Sequence, residues 1–406
     1  MLYRRFPGLG HLCAALVAYV VTSAPVCLGV LFAVDFLVDR ASVDSLEPHV
    51  LTACSRFDGI HYVEITESGY SYDSSQRSSV AFFPAYPLMG RLLARLAGWD
   101  TRLALLIVSN LFLLTAFFAL SAYTGCTLAG ESRRYWLLVL AVFGLWPAGM
   151  FFRMTYSEST FLLFTLLLLW GLRRRWRLAV LAILSGLVTG VRPVGLAATA
   201  AFSWHILADA ERGPITRRLL LAVVCVPVAS WGLLAYMAYQ NHHFGTPFAF
   251  AQTEQHWNFA GSYNAGDKFD SLLAGEPIWA TYTADPVRDW RRIDGDVNFL
   301  FSMFFWNPIL FIATLALVLF GAAKSWLSGP EVILGLGLLA IPSVTRAYEM
   351  LMASHARFAA VVVPAYLVLG RILHRAPDWV QWSVLTLLAT MLMAWSALFA
   401  AGYAFF

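Results

Sequence analysis

Charged side chains are scarce in this chain: Asp, Glu, Lys and Arg make up 13% of its 406 residues, against 59% hydrophobic. An ordinary soluble domain is about a quarter charged, so water is not the solvent for most of this surface. Cysteine is sparse as well. The five are Cys13, Cys27, Cys54, Cys126 and Cys225, with no C-x-x-C pair and no His at ligand spacing. That excludes a sequence-written zinc site or disulfide framework, and the cysteines read as small apolar packing residues. The formal charge of +4 comes without a continuous basic face carrying interleaved aromatics, so nucleic acid is excluded as a partner. No internal repeat is visible.

What the chain has is grease and aromatic rings, 15% of the residues, including 15 Trp and 30 Phe. Such rings suit a protein with two membrane interfaces to anchor. The first apolar run, 11 to 38, follows Arg4 and Arg5. It is too long for a signal-peptide core and is read as a membrane anchor. Further runs lie near 101–122, 135–152, 157–172, 178–191, 194–208, 219–239, 299–323, 330–345, 358–373 and 379–404. They predict about eleven spans in an all-α polytopic membrane protein, with residues 1–406 forming a single transmembrane domain. The short loops that would face inward, with the N-terminus inside, hold half of the 28 basic residues, among them Arg173, Arg174, Arg175 and Arg177. The other half is spread over two long segments exempt from the positive-inside count, so an N-inside orientation is expected.

Those long segments, 39–100 and 240–298, are rich in Gly, Ser, Asp and aromatics, and function is expected there. Within the first, VAFFPAYPLMGRLLARLAG puts Leu88, Leu92 and Leu96 on one helical stripe and Arg91 and Arg95 on another. The pattern predicts a helix lying in the headgroup plane. Just before it, Arg56 to Pro87 gathers Asp58, His61, Glu64, Glu67 and Asp73 beside an apolar span. A carboxylate there could take the proton of an acceptor hydroxyl while a sugar is displaced from its phosphate, and Asp58 is the candidate.

The run Phe57-Asp58-Gly59-Ile60-His61-Tyr62, then Ser68-Gly69-Tyr70, then Phe82-Phe83-Pro84-Ala85-Tyr86-Pro87 resembles the first outer loop of the PIG-V-like mannosyltransferases, of the GT-C class of membrane glycosyltransferases. Later stretches agree in order: Tyr156-Ser157-Glu158-Ser159, Arg192-Pro193-Val194-Gly195, Phe244-Gly245-Thr246-Pro247 with Gln255-His256-Trp257, and His355-Ala356-Arg357-Phe358. Phe57 stands where the family has Trp, and Thr66 where a small apolar residue is commoner. The resemblance implies a GT-C bundle that moves a sugar, usually mannose, from a polyprenyl-phosphate carrier to a hydroxyl with inversion. Asp58 is the implied base. The lipid-linked sugar is a substrate, so no cofactor and no metal is expected.

With no metal motif, arginine should meet the departing phosphate, because its planar fork donates two parallel hydrogen bonds and stays charged. The outer-face candidates are Arg153, Arg192, Arg346 and Arg357. Arg192 leads, because Thr189-Gly190-Val191-Arg192-Pro193 breaks an apolar run. Arg357 follows. Glu158 is expected to orient Arg153 or a substrate hydroxyl, or else to be a surface acid in the first turn of a helix. His61 and Tyr62 are further substrate-binding candidates. Gln255, His256 and Trp257 are expected on one side of the sugar pocket, with Trp257 stacking on the ring or serving as an interfacial anchor. The expected partners are the lipid-linked donor, a hydroxyl acceptor and membrane lipids, around a monomer. The expected setting is a bacterial plasma membrane with the site extracytoplasmic. The alternative is a lipid or solute transporter or flippase; transporters place ionisable groups near the bilayer midplane, whereas charges here cluster at loops and helix ends.

Overall fold

Apolar surroundings leave a backbone N–H or C=O no partner but the chain itself, so segments this hydrophobic close their hydrogen bonds internally as helices. A computed structural model describes residues 7–37, 49–127, 132–258, 264–283 and 302–403, and among these the regular elements are all helical. The chain is an integral membrane protein. Five helices are long and apolar enough to span a bilayer: Gly10–Leu37, Thr101–Gly125, Met303–Ala323, Gly329–Met350 and Asp378–Ala401. Ile215–Ala229 and Trp231–Phe244, bent by 51°, would make a sixth if they are one span.

Several of the predicted runs form shorter helices: α6 (Arg133–Leu145) and α9 (Leu196–Ala208) have 13 residues each, α7 (Glu158–Arg173) has 16 and α8 (Leu178–Val191) has 14. At 1.5 Å per residue these reach roughly 20–24 Å, short of a hydrocarbon core of about 30 Å. Pro147 and Pro193 stop two of the runs, each at the start of a 3-10 turn. A proline cannot donate to the helical ladder.

The first helix, α1 (Pro7–Phe32), packs along Asp378–Ala401 and along α5 (Thr101–Thr127); α5 in turn packs on α7. Helix α7 lies at the centre, with Glu158 to Leu166 all buried. Helix α8 meets α11 (Trp231–Phe244) at glycines, beside Trp231, which lies over Gly186 and donates to the Ile183 carbonyl at 3.2 Å. A Cβ on Gly232 would stand 2.1 Å from the Gly186 carbonyl oxygen and 2.6 Å from the Gly190 nitrogen. Glycines four apart on one helix let the two backbones touch, a recurring device of membrane helix pairs.

Two short helices frame the site. Helix α3 (Asp58–Ser68) is followed by α4 (Ala85–Ala97), in which Leu88, Leu92 and Leu96 are exposed on one face as the sequence predicted. From the other face Arg91 donates to the carbonyls of Thr66 at 2.7 Å and Ile65 at 2.6 Å. Thr66, the family departure, is buried and donates to the Pro87 carbonyl at 3.3 Å, so its hydroxyl joins α3 to α4. The two long segments also meet. Tyr72 donates to Gln252 (2.9 Å), the Ser78 amide to Thr253 (3.0 Å) and Tyr236 to the Val80 carbonyl (2.9 Å). Parts of those segments, 39–48, 259–263 and 284–298, lie outside the described residues.

Because the α8–α11 contact is backbone on backbone, Gly232→Val should cost about 1–3 kcal/mol or more. Gly190→Ala should cost less, since its Cβ would rest 3.4 Å from the Gly232 Cα. Thermal unfolding in detergent gives the order, and a reversed order would contradict this packing.

Candidate functional site

The site forms where four helix ends converge. Asp58 is the first residue of α3, Glu158 the first of α7, and Arg192 the residue after α8, in extended conformation before Pro193. Arg357 sits in a six-residue helix, His355–Ala360. Their charged groups form one chain. Arg357 donates from Nη1 to Asp58 Oδ2 at 2.5 Å and from Nε to Glu158 Oε1, which also accepts from Arg192 Nη1 at 2.8 Å. The order along it is Asp58, Arg357, Glu158, Arg192, two anions and two cations alternating.

Exposure grades along this chain. The Glu158 side chain is 0% exposed, Arg357 6%, Arg192 12% and Asp58 29%. A fully enclosed carboxylate is tolerable only with cations in contact. Glu158 is therefore neither a surface acid nor the partner of Arg153. Arg153 turns the other way, to Ser23 Oγ and Thr22 Oγ1, both at 2.9 Å. Aromatic rings wall the quartet: the Arg357 guanidinium lies 4.8 Å from the Tyr156 ring centre and 5.2 Å from that of Phe151, and that of Arg192 lies 5.5 Å from Phe358.

The backbone is strained on both sides of the Asp58–Arg357 pair. Phe57, just before Asp58, has φ 55°, and Leu351, Met352 and Ser354, just before the Arg357 helix, have φ of 51°, 62° and 63°. Non-glycine residues there cost of order 1–3 kcal/mol each and persist where surrounding structure over-determines them. Gly59 permits the close approach of α3 to the loop before α7, since a Cβ on it would lie 2.6 Å from Thr155 Oγ1.

The other predicted residues divide. Tyr62 is buried and donates to Ser157 Oγ at 2.8 Å. Burial, with Glu158 nearby, pushes its phenol up to about 12. It braces the turn before Glu158. His61 stands nearer the surface, 3.3 Å from Glu64, stacked on Phe82 at 4.9 Å and edge-on to Trp257 at 6.4 Å. Gln255 and His256 contact each other at 3.3 Å, and His256 Nε2 lies 3.1 Å from the Ser74 carbonyl oxygen. Arg77 donates to the His256 carbonyl at 2.9 Å and lies over the Trp257 ring at 5.6 Å. These residues tie the two long segments together, and of the three Trp257 reaches the His61 and Phe82 rings.

Sequence reasoning missed Glu254. It pairs with Arg346 at 3.0 Å and keeps 37% of its side chain accessible, yet protein crowds it, as on the wall of an open cleft. The crowding pushes its carboxyl up; Arg346 opposes that and the Asp58 charge adds to it. Its place directly before Gln255-His256-Trp257 was the only signal. His355 is buried, with Nδ1 3.1 Å from the Ala353 carbonyl oxygen, and burial pulls it down to about 4, so its imidazole is neutral.

Comparison with known proteins adds identity to this geometry. The chain is 36% identical over 168 residues to GPI alpha-1,6-mannosyltransferase 2 of Cricetulus griseus, a match over 39% of this chain and 33% of that protein. It is 29% identical over 256 residues to the protein of that name in Rattus norvegicus, covering 56% and 50%. The Homo sapiens protein is 32% identical over 168 residues, covering 39% and 33%. The matches thus span a third to a half of these relatives' length. All three are mammalian, and they lend no support to the expectation of a bacterial membrane. Residues 18–266 match the model of the family described as Mannosyltransferase (PIG-V); that is more than half of the chain, and the chain belongs to this family.

Proposed function

We propose that this chain is a GT-C enzyme that moves a mannosyl group from a polyprenyl-phosphate carrier to an acceptor hydroxyl on the extracytoplasmic face, with inversion, using Asp58 as general base. The observation that carries this reading is the grading of the quartet: Asp58 is its open end, anchored through Arg357 to a carboxylate wholly withdrawn from solvent. The acceptor oxygen attacks the anomeric carbon and Asp58 takes its proton. The bond from that carbon to the phosphate oxygen breaks, and the electron pair leaves with the phosphate. A leaving phosphodiester needs no proton but does need positive charge beside it. Arg192 suits that need, since the one hydrogen bond its guanidinium makes among the described residues is that from Nη1 to Glu158. Arg357, bonded to both carboxylates, is a positioning residue for Asp58. The donor is a substrate, and the proposed step uses no cofactor.

A lipid donor also needs somewhere to keep its tail. A cavity of about 310 Å³, lined by Leu272, Ile278, Phe311, Leu315, Leu339 and Met352 among others, opens between the spans Met303–Ala323 and Gly329–Met350. Met352 belongs to the strained turn that leads into the Arg357 helix, so part of the groove's wall is the segment that carries Arg357. That adjacency favours a lipid-linked donor over a water-soluble one.

Asp58→Asn keeps shape and removes basicity, and should lower turnover by about two to four orders of magnitude with stability nearly unchanged. Arg357→Met should instead destabilise by about 3–5 kcal/mol, because it leaves Glu158 short of a cation. Labelled mannosyl transfer and thermal unfolding, measured together, separate the two. An Asp58→Asn enzyme with wild-type turnover would remove the base, and product formation itself excludes a transporter.

Loss of Arg192 should weaken transfer by about tenfold to a hundredfold, and Arg192→Lys should recover only part, keeping charge without the fork. Equal donor affinity and turnover in wild type and Arg192→Ala would place the phosphate elsewhere. The proposed orientation predicts that cysteines at positions 74 and 175 react with impermeant reagents from opposite sides of the membrane; labelling from one side would overturn it.

A further inference from the structure

A second cavity, of about 340 Å³, lies at the other end of α7. That helix carries Glu158 at its first residue and Arg173 at its last, 16 residues in all, which puts the cavity roughly 24 Å along the bundle from the acid quartet. Its walls include Arg173, Arg175, Tyr123, Trp204, His205 and Asp209. This end of the molecule takes no part in the proposed transfer.

The charges around the cavity balance in number, three cations against three anions, but they are not all paired. Arg175 pairs with Glu211 at 2.6 Å, and Arg212 with Asp209 at 3.0 Å. Glu331 is occupied twice, accepting from Tyr123 at 2.5 Å and capping its own helix through Ser328 at 2.6 Å. Arg173 has no ion pair among the described residues, and His205 Nε2 is enclosed with no hydrogen-bond partner there. Arg175 reaches the cavity wall from a left-handed backbone, φ 52°, where Gly or Asn would cost less. A cavity with an unpaired guanidinium, a second one beside it that is paired only with the exposed Glu211, and a spare imidazole nitrogen offers directed donors to an anion. Trp204, 45% exposed, adds the amphipathic ring usual at a bilayer surface.

We propose that this cavity binds a phosphate group, with Arg173 and Arg175 donating to its oxygens and His205 Nε2 as a third contact. Phosphate fits because its oxygens match the guanidinium fork, and the volume suffices for a headgroup. The group could arrive on an anionic lipid entering from the bilayer or as a free ion from water.

The test uses the full chain in nanodiscs of phosphatidylcholine alone or with phosphatidic acid, reading retained lipid by native mass spectrometry and the thermal midpoint with added inorganic phosphate. Selective retention of phosphatidic acid, weakened about tenfold or more in the Arg173→Gln/His205→Leu double variant, supports a lipid source. A rise in midpoint with inorganic phosphate that the double variant lacks, without lipid retention, supports a free-ion source. If neither probe distinguishes wild type from the double variant, the site is refuted. Should that variant not fold, a photoactivatable phosphatidic acid on the wild-type chain decides. Adducts in residues 172–176 or 204–209 support the site, and adducts confined elsewhere overturn it.

Discussion

Everything around the candidate site follows from one withdrawn carboxylate. Glu158 is shut off from solvent at the head of the central helix, and an anion so placed must hold cations against it. Two guanidiniums answer, both from later in the sequence: Arg192 is 34 residues away and Arg357 is 199. Because one oxygen of Glu158 serves both, their relative position is fixed, and Asp58 is fixed in turn through Arg357. None of the four lies in the interior of a long helix. Each stands at an end or in a short helix, where irregular backbone can aim a side chain inward, and the left-handed residues before Asp58 and Arg357 are the local cost of that aim.

Before any ligand arrives the quartet is formally neutral. That bears on how a phosphate would be received. A site of bare arginines would be held apart by its own repulsion and by the cost of dehydrating each cation. Pairing both with carboxylates preserves positive charge near the reacting centre while its neighbours compensate it. The same pairing leaves Asp58 as the member with most access to an incoming hydroxyl.

Much of this was legible residue by residue. Asp58, Glu158, Arg192 and Arg357 stand out in the sequence because each is a charge at the edge of an apolar run, and Pro193 marks the break that frees Arg192. The partnerships were not legible. Contacts between residues 299 apart are set by helix packing, and no spacing rule reports them; the sequence therefore offers Glu158 its neighbour Arg153, a substrate hydroxyl or a surface place, when its cations come from afar. The motif marks Tyr62 as a substrate-binding candidate but does not say that its hydroxyl reaches Ser157. Glu254 looked like any loop acid, since what marks it is the Arg346 it faces. Helix lengths divide likewise: hydropathy registers the apolar run 135–152 but not that Pro147 inside it begins a 3-10 turn.

The row of leucines on α4 has a mechanical consequence. Leu88, Leu92 and Leu96 face outward, and three adjacent leucines gain most by settling into the surface of the lipid layer. The other side of the same helix is riveted by Arg91 to the last turns of α3, whose first residue is Asp58. With that face in the lipid surface, as the sequence pattern predicts, the helix would act as a float, and the carboxylate would ride at a height set by the level of the surrounding lipid as well as by the protein. A thicker or thinner leaflet would raise or lower that float relative to the long spans, so the alignment of Asp58 with a carrier headgroup becomes a property shared between the chain and its bilayer.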